Sequence, residues 1–404
     1  MRSVAVVGAS LAGLSAARAL RARGYDGRLV IVGAEDVPPY DRPPLSKDFL
    51  LGRAQAADLT LTADSDAALD LDRRLGRRAV LLDTAGRAVH LDDGTRVVCD
   101  GVVVATGATA VPLPGTAQLA GVHVLRTLAD AEALRAELRP GARLVVVGAG
   151  LIGAEAASSA AALGLDVTVV ERGPAPLTRI LGRVGNEVSA ALHAEHGIRL
   201  ITGAAVTGLA GRDRVTGVWL ADGRQLSADV VLVAIGSRPA VDWLAGSGLV
   251  LDDGVVCDAG CGTALPGVVT VGDCARPFHP WLGRHHRAQH WTAALEQPAV
   301  AAARLLDGPG STAAYTTAPY FWSDQFGVRI QFAGHTEPDD QVEVTDGSFA
   351  SRSFLAVFRR GGLPTAVLAM NQPKLFGRAR RLIAAAGPLP ASPAPPQVPQ
   401  NHRR

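Results

Sequence analysis

Gly8-Ala9-Ser10-Leu11-Ala12-Gly13 and Gly148-Ala149-Gly150-Leu151-Ile152-Gly153 stand 140 residues apart in one chain, and their reading decides the fold. Each follows a short apolar run, residues 4–7 and 144–147, and opens an alanine-rich stretch that suits a helix. Each is also followed by an acid at the end of a second apolar run: Glu35 comes 22 residues after Gly13, and Glu171 comes 18 after Gly153. Dinucleotide binding needs this spacing. Glycine lets the backbone approach a pyrophosphate, the helix N-terminus offers unpaired N–H groups, and the carboxylate accepts ribose hydroxyls. The pair of fingerprints predicts an α/β chain with two Rossmann-like nucleotide units, the first built around Gly8, Ser10, Gly13 and Glu35, the second around Gly148, Gly150, Gly153 and Glu171.

A second repeat supports the first. Leu91-Asp92-Asp93-Gly94 followed by Asp100 to Gly107 matches Leu220-Ala221-Asp222-Gly223 followed by Asp229 to Gly236, at a constant offset of 129 residues. In both copies an Asp-Gly turn precedes a buried strand that stops at a glycine, Gly107 or Gly236, which suits a strand ending against a cofactor. Thr106, beside the first of these glycines, joins the candidate cofactor residues.

The 404 residues leave room for two or three domains, and the formal charge is +2. No apolar stretch reaches membrane-spanning length, and the first strand begins too early for a signal peptide, so a soluble cytoplasmic protein is expected. Cys99, Cys257, Cys261 and Cys274 contain no C-x-x-C, and their spacing to His279, His285, His286 and His290 fits no standard zinc pattern; no metal is expected. The proline-rich residues 388–404 read as a disordered tail.

The chain resembles the FAD-dependent, NADH-oxidising ferredoxin reductases that serve bacterial cytochrome monooxygenases and ring-hydroxylating dioxygenases. The residues that carry the resemblance are the two fingerprints, Pro39-Tyr40-Asp41-Arg42-Pro43-Pro44-Leu45-Ser46-Lys47, Ala105-Thr106-Gly107, Glu155, Gly272-Asp273, His290-Trp291 and Phe321-Trp322-Ser323-Asp324-Gln325. It implies an FAD domain (1–110 and 239–316) interrupted by an NADH domain (111–238), then a C-terminal α+β domain (317–387). It places Arg42, Lys47, Thr106, Gly107 and Asp273 at the FAD, with Trp291 and Trp322 either lining the flavin ring or filling the core. Gly236 joins the NADH set. Ser10, Gln289 and Ala293 depart from the family's usual glycine, glutamate and asparagine.

Lysine is rare in this chain: of 40 basic residues only Lys47 and Lys374 are lysines, which hints at a specific use for a compact ammonium. The resemblance implies that Lys47 sits near the flavin and pairs with Glu155 as a catalytic couple. Disulfide reductases on the same plan carry redox cysteines soon after the first acid, whereas this chain has none before Cys99, so electrons are expected to leave the flavin without a thiol relay. The function implied is hydride transfer from NADH to FAD, then single electrons to a 2Fe–2S ferredoxin that feeds an oxygenase. A reductase of quinone, oxygen or another small acceptor, and a flavin-bearing signalling or nucleic-acid-binding protein, are the alternatives. Residues 352–404 hold nine lysines and arginines and no acid, which suggests an acidic ferredoxin as partner, with Arg359, Arg360, Lys374, Arg378, Arg380 and Arg381 as contacts and Arg284-His285-His286-Arg287 adding to them.

Overall fold

The computed structural model describes residues 1–115, 119–182 and 184–385; the expectation of a disordered tail at 388–404 lies outside them. Two parallel five-stranded sheets dominate. In the first the order is Val268–Thr270, Gly101–Val104, Ser3–Val7, Arg28–Val32, Leu71–Arg74; in the second it is Arg199–Ile201, Asp166–Val170, Arg143–Val147, Val230–Val233, Val122–His123. The central strands are valine-rich runs buried on both faces, as a parallel sheet covered on each side requires. The duplication read from sequence is present in the register: Val4 faces Leu29 and Gly101, and Leu144 faces Val167 and Val230.

Each unit carries its own three-stranded antiparallel sheet, and the two Asp-Gly turns within these sheets are alike. Gly94 and Gly223 have φ of +81° and +85°, and their amides bond the carbonyls of Leu91 and Leu220. The chain passes between the units through two short antiparallel strands, Ala108–Ala110 and Ser237–Pro239, which pair with each other. The helix Trp291–Asp307 then packs against the first fingerprint helix, Leu11–Ala22, through alanines and leucines.

The C-terminal residues form a five-stranded antiparallel sheet in the order Tyr320–Gln325, Val328–Gly334, Leu363–Met370, Ser353–Arg360, Gln341–Ser348. The helix Pro373–Ala385 covers one face, burying Phe376, Ala379 and Ile383 against Leu355, Val367 and Ala369. The fold is therefore α/β with two Rossmann-like units and a C-terminal α+β unit. The strand Tyr320–Gln325 lies against the fingerprint helix Leu151–Ala162 of the second unit, so all three parts of the chain meet there.

Candidate functional site

The fingerprints are backbone devices first. A Cβ at Gly8, whose φ is +124°, would lie 2.0 Å from the Ala105 carbonyl oxygen, and one at Gly13 would lie 1.8 Å from that of Gly8. The second copy is the same: Gly148 and Gly153 would clash at 2.4 Å with Ala234 O and at 2.1 Å with Gly148 O. These glycines let strand, turn and helix close on one another. The middle position is different, because a Cβ at Gly150 would meet nothing within 4 Å. Ser10 occupies that position in the first copy, where it is the N-cap of its helix yet makes no capping bond. Neither fingerprint helix has a side-chain cap or an acid in its first turn. Two helix N-termini with open space before them are cradles that fit the pyrophosphates of two dinucleotides.

One cleft gathers most of the remaining candidates. Ser10, Arg42, Lys47, Gly107, Glu155, Asp273, Trp291 and Trp322 all line it, with contributions from both nucleotide units and the C-terminal sheet. The Lys47 ammonium lies 2.8 Å from Glu155 Oε2, its side chain 18 % exposed, while Glu155 is 5 % exposed. Asp273 Oδ2 accepts from Arg126 at 2.7 Å. The Trp291 indole N–H donates to Asp41 at 2.8 Å, and its ring meets Trp322 edge-on at 5.9 Å. Both tryptophans thus have a face on the cleft as well as packing partners behind it.

Other candidates stand back from the cleft. Glu35 accepts from the Tyr40 hydroxyl and from Arg42, each at 2.6 Å, and Tyr40 in turn accepts from the Leu128 amide of the second unit. Burial pushes the Tyr40 phenol well up, so it stays a donor to Glu35. The Thr106 hydroxyl is not turned to the cleft; it donates to the Ala240 carbonyl and ties the strand end to the returning chain. Glu171 accepts from the amides of Ala149 (2.8 Å) and Gly173 (2.7 Å), so its carboxylate is locked beside the second glycine loop. Gly236, at φ +116°, has open space around it. The glycines of the second fingerprint do not line the cleft themselves, but the helix they open delivers Leu151, Ile152 and Glu155 into it.

Arg126 is a cleft residue that the sequence reading missed. It reaches Asp273, bonds the Ala108 carbonyl through Nε, and offers its own carbonyl to Arg42 at 2.6 Å. The available signal was local: Thr127 and Asp130 form a capping box, which places Arg126 at the mouth of a helix N-terminus. Ser46 and Ser323, outside the site candidates read from the sequence, both donate to Glu155.

The four cysteines are all buried and unbonded to one another by disulfide. Burial pushes the Cys99 thiol up to about 11, which leaves it an unreactive thiol. Among the described residues no three His, Cys, Asp or Glu side chains are arranged to hold a metal ion, and no helix is long and apolar enough to cross a membrane.

Two dinucleotide-type glycine loops, whose helices both reach a cleft lined by a lysine paired with a buried glutamate, are the plan of a two-nucleotide oxidoreductase. The chain belongs to the pyridine nucleotide-disulphide oxidoreductase family, whose model matches residues 2–297, and a reductase C-terminal domain matches residues 320–398. It is 40 % identical to the ferredoxin–NAD(+) reductase component of the anthranilate 1,2-dioxygenase system of Burkholderia cepacia, covering 97 % of each chain. It is 35 % identical to rhodocoxin reductase of Rhodococcus erythropolis, over 96 % of this chain and 90 % of that one. Among solved structures, the covalent putidaredoxin reductase–putidaredoxin complex matches with a TM-score of 0.89 and 34 % identity, over 95 % of this chain and 93 % of the other.

Proposed function

We propose that the chain is a cytoplasmic ferredoxin–NAD(+) reductase that oxidises NADH and delivers electrons one at a time to an acidic 2Fe–2S ferredoxin serving an oxygenase. The observation that carries this reading is the Lys47–Glu155 pair on the wall of the cleft where both nucleotide units meet. Bound FAD supplies the chemistry of accepting a hydride and releasing single electrons. The first fingerprint, Arg42, Arg126 and Asp273 would hold FAD, and the second fingerprint with Glu171 and Gly236 would hold NADH. Lys47 offers a fixed positive charge to the cleft, and Glu155 keeps it in place, so that negative charge developing there is stabilised without reorganisation. No cysteine lines the cleft among the described residues, and Cys274, next to the cleft residue Asp273, is a buried thiol.

The partner's side rests on the helix Pro373–Ala385. Lys374, Arg378 and Arg381 are exposed at i, i+4 and i+7, on one face, and have no ion-pair partner among the described residues. The other basic candidates are occupied within the fold. Arg360 pairs with the buried Asp340, Arg359 with Glu343, Arg284 with Glu337, and Arg287 with Asp253, while Arg380 lies over the Tyr320 ring at 4.4 Å. The docking charge therefore narrows to three residues. The test is reduction of cytochrome c by NADH with the purified protein, with and without a 2Fe–2S ferredoxin. Strong dependence on ferredoxin supports the reading; equal turnover without it points to a small-acceptor reductase and refutes it.

A further inference from the structure

The strand Tyr320–Gln325 turns Phe321, Ser323 and Gln325 inward, at 5, 0 and 2 % exposure, with its other three residues half-buried. Alternation thus puts two polar side chains on a face that ordinarily carries apolar ones. A buried hydroxyl or amide is costly unless it is bonded. Gln325 Nε2 donates to Ser323 Oγ at 3.1 Å, and Ser323 Oγ lies 2.7 Å from Glu155 Oε1. The amide nitrogen can only donate, so the serine oxygen accepts from it, and the single hydroxyl proton is left for Glu155. The Asp324 amide adds only a longer, weaker bond to Glu155 Oε1, at 3.3 Å. Glu155 Oε2 receives Ser46 at 2.5 Å and Lys47 at 2.8 Å. A carboxylate gripped at one oxygen can rotate about its last bond; gripped at both, its plane is set.

We propose that Ser323, oriented by Gln325, is a positioning residue for the reaction in the cleft: by holding Glu155 Oε1 it presents Oε2 to Lys47 and fixes where the ammonium stands. The C-terminal sheet thereby takes part in the nucleotide chemistry through a residue that does not line the cleft. This rests on the reading of Lys47 and Glu155 as the catalytic pair. Removing the hydroxyl should leave the three parts of the chain docked, because the Phe326 amide still bonds Ser158 and Ser159 still bonds the Ser46 carbonyl.

The presence of only two lysines makes the test direct. Holoprotein labelled with 13C at lysine Cε gives two signals, and Lys47→Met identifies which is which. Ser323→Ala should displace the Lys47 signal and leave that of Lys374 unmoved. It should also lower the limiting rate of flavin reduction by NADH about 10-fold, without changing the apparent Kd for NADH, and Ser323→Thr should restore both signal and rate. In the Lys47→Met background the same substitution should add nothing. An unmoved Lys47 signal, or equal slowing in both backgrounds, overturns the proposal. If Lys47→Met itself reduces flavin at the parent rate, the catalytic pair is what fails, a result distinct from one in which Lys47→Met is slow and Ser323→Ala is not. Should Ser323→Ala not fold, Gln325→Met keeps the volume and frees the hydroxyl to turn; a Lys47 signal unmoved there overturns the proposal equally.

Discussion

The proposed role of Glu171 in NADH binding predicts a coenzyme preference from how its carboxylate is held. Each of its oxygens is fixed by a backbone amide, Ala149 at 2.8 Å and Gly173 at 2.7 Å, so the carboxylate cannot swing away from a bound nucleotide. About four lone-pair sites are available on a carboxylate, and those not engaged by the amides suit the two ribose hydroxyls of NADH. Each negative charge of a 2′-phosphate brought to about 5 Å from this fixed charge is opposed by about 3 kcal/mol at an effective dielectric constant near 20. Solvent and the neighbouring Arg172 reduce that to about 2 kcal/mol, or about 30-fold in kcat/KM. Glu171→Gln preserves the shape and removes the charge. Its amide nitrogen must face one of the two backbone N–H groups, which costs about 1–2 kcal/mol in the loop and weakens NADH. NADPH meanwhile loses its repulsion. The ratio of NADPH to NADH kcat/KM should therefore rise by about 30-fold or more in the variant. Steady-state reduction of a dye acceptor at one ionic strength measures it. A parent enzyme that favours NADPH, or a variant ratio within about two-fold of the parent's, refutes the reasoning.

Three further outcomes are expected. Lys47→Met should retain one yellow FAD per chain yet be reduced by NADH more slowly in stopped flow, since the ammonium acts on charge that appears during transfer. Neutralising Lys374, Arg378 and Arg381 in pairs should raise the KM for ferredoxin and flatten its salt dependence while leaving dye reduction unchanged, with removal of the residues after Gly387 as a control of little effect; rates insensitive to salt and to every pair would move the docking surface elsewhere. Stability should fall with acid: burial holds the imidazoles of His193 and His279 below their ordinary value of 6.5, and each has one ring nitrogen without a partner among the described residues. Below pH 6.5 the unfolded chain takes up protons that the folded one refuses, so each histidine contributes stability that is present above that pH and lost on acidification, at up to about 1.4 kcal/mol per pH unit. Thermal melts between pH 7.5 and 5 check this, and a flat profile counts against it.

The parts of the fold that were legible in the sequence are those where a local backbone demand dictates the residue. Gly8 and Gly148 adopt positive φ, and each stands where any side chain would strike a neighbouring carbonyl. The Asp-Gly turns before Gly101–Val104 and Val230–Val233 are of the same kind, which is why the duplication could be read at a constant offset. Charge was legible only as a total. The concentration of basic residues after Arg352 was visible, but composition does not say that Arg360 faces the buried Asp340 or that Arg380 lies on Tyr320. Partnering depends on strand pairing and helix docking, and neither leaves a periodic trace at a single arginine.

By itself, then, the sequence determined two nucleotide units and the glycine loops at their heads, because those features are set within a few residues of chain. The tertiary structure alone decided how the units face each other across one cleft. Glu155 takes bonds from Ser46 and Lys47, more than a hundred positions earlier, and from Ser323, more than a hundred later. Arg126 meets Asp273 across a similar distance. Such contacts arise where parts of the chain that are distant in sequence close on one another, and the buried polar groups they leave must find partners in whichever segment lies opposite. The spacing of residues along the chain carries no record of that meeting.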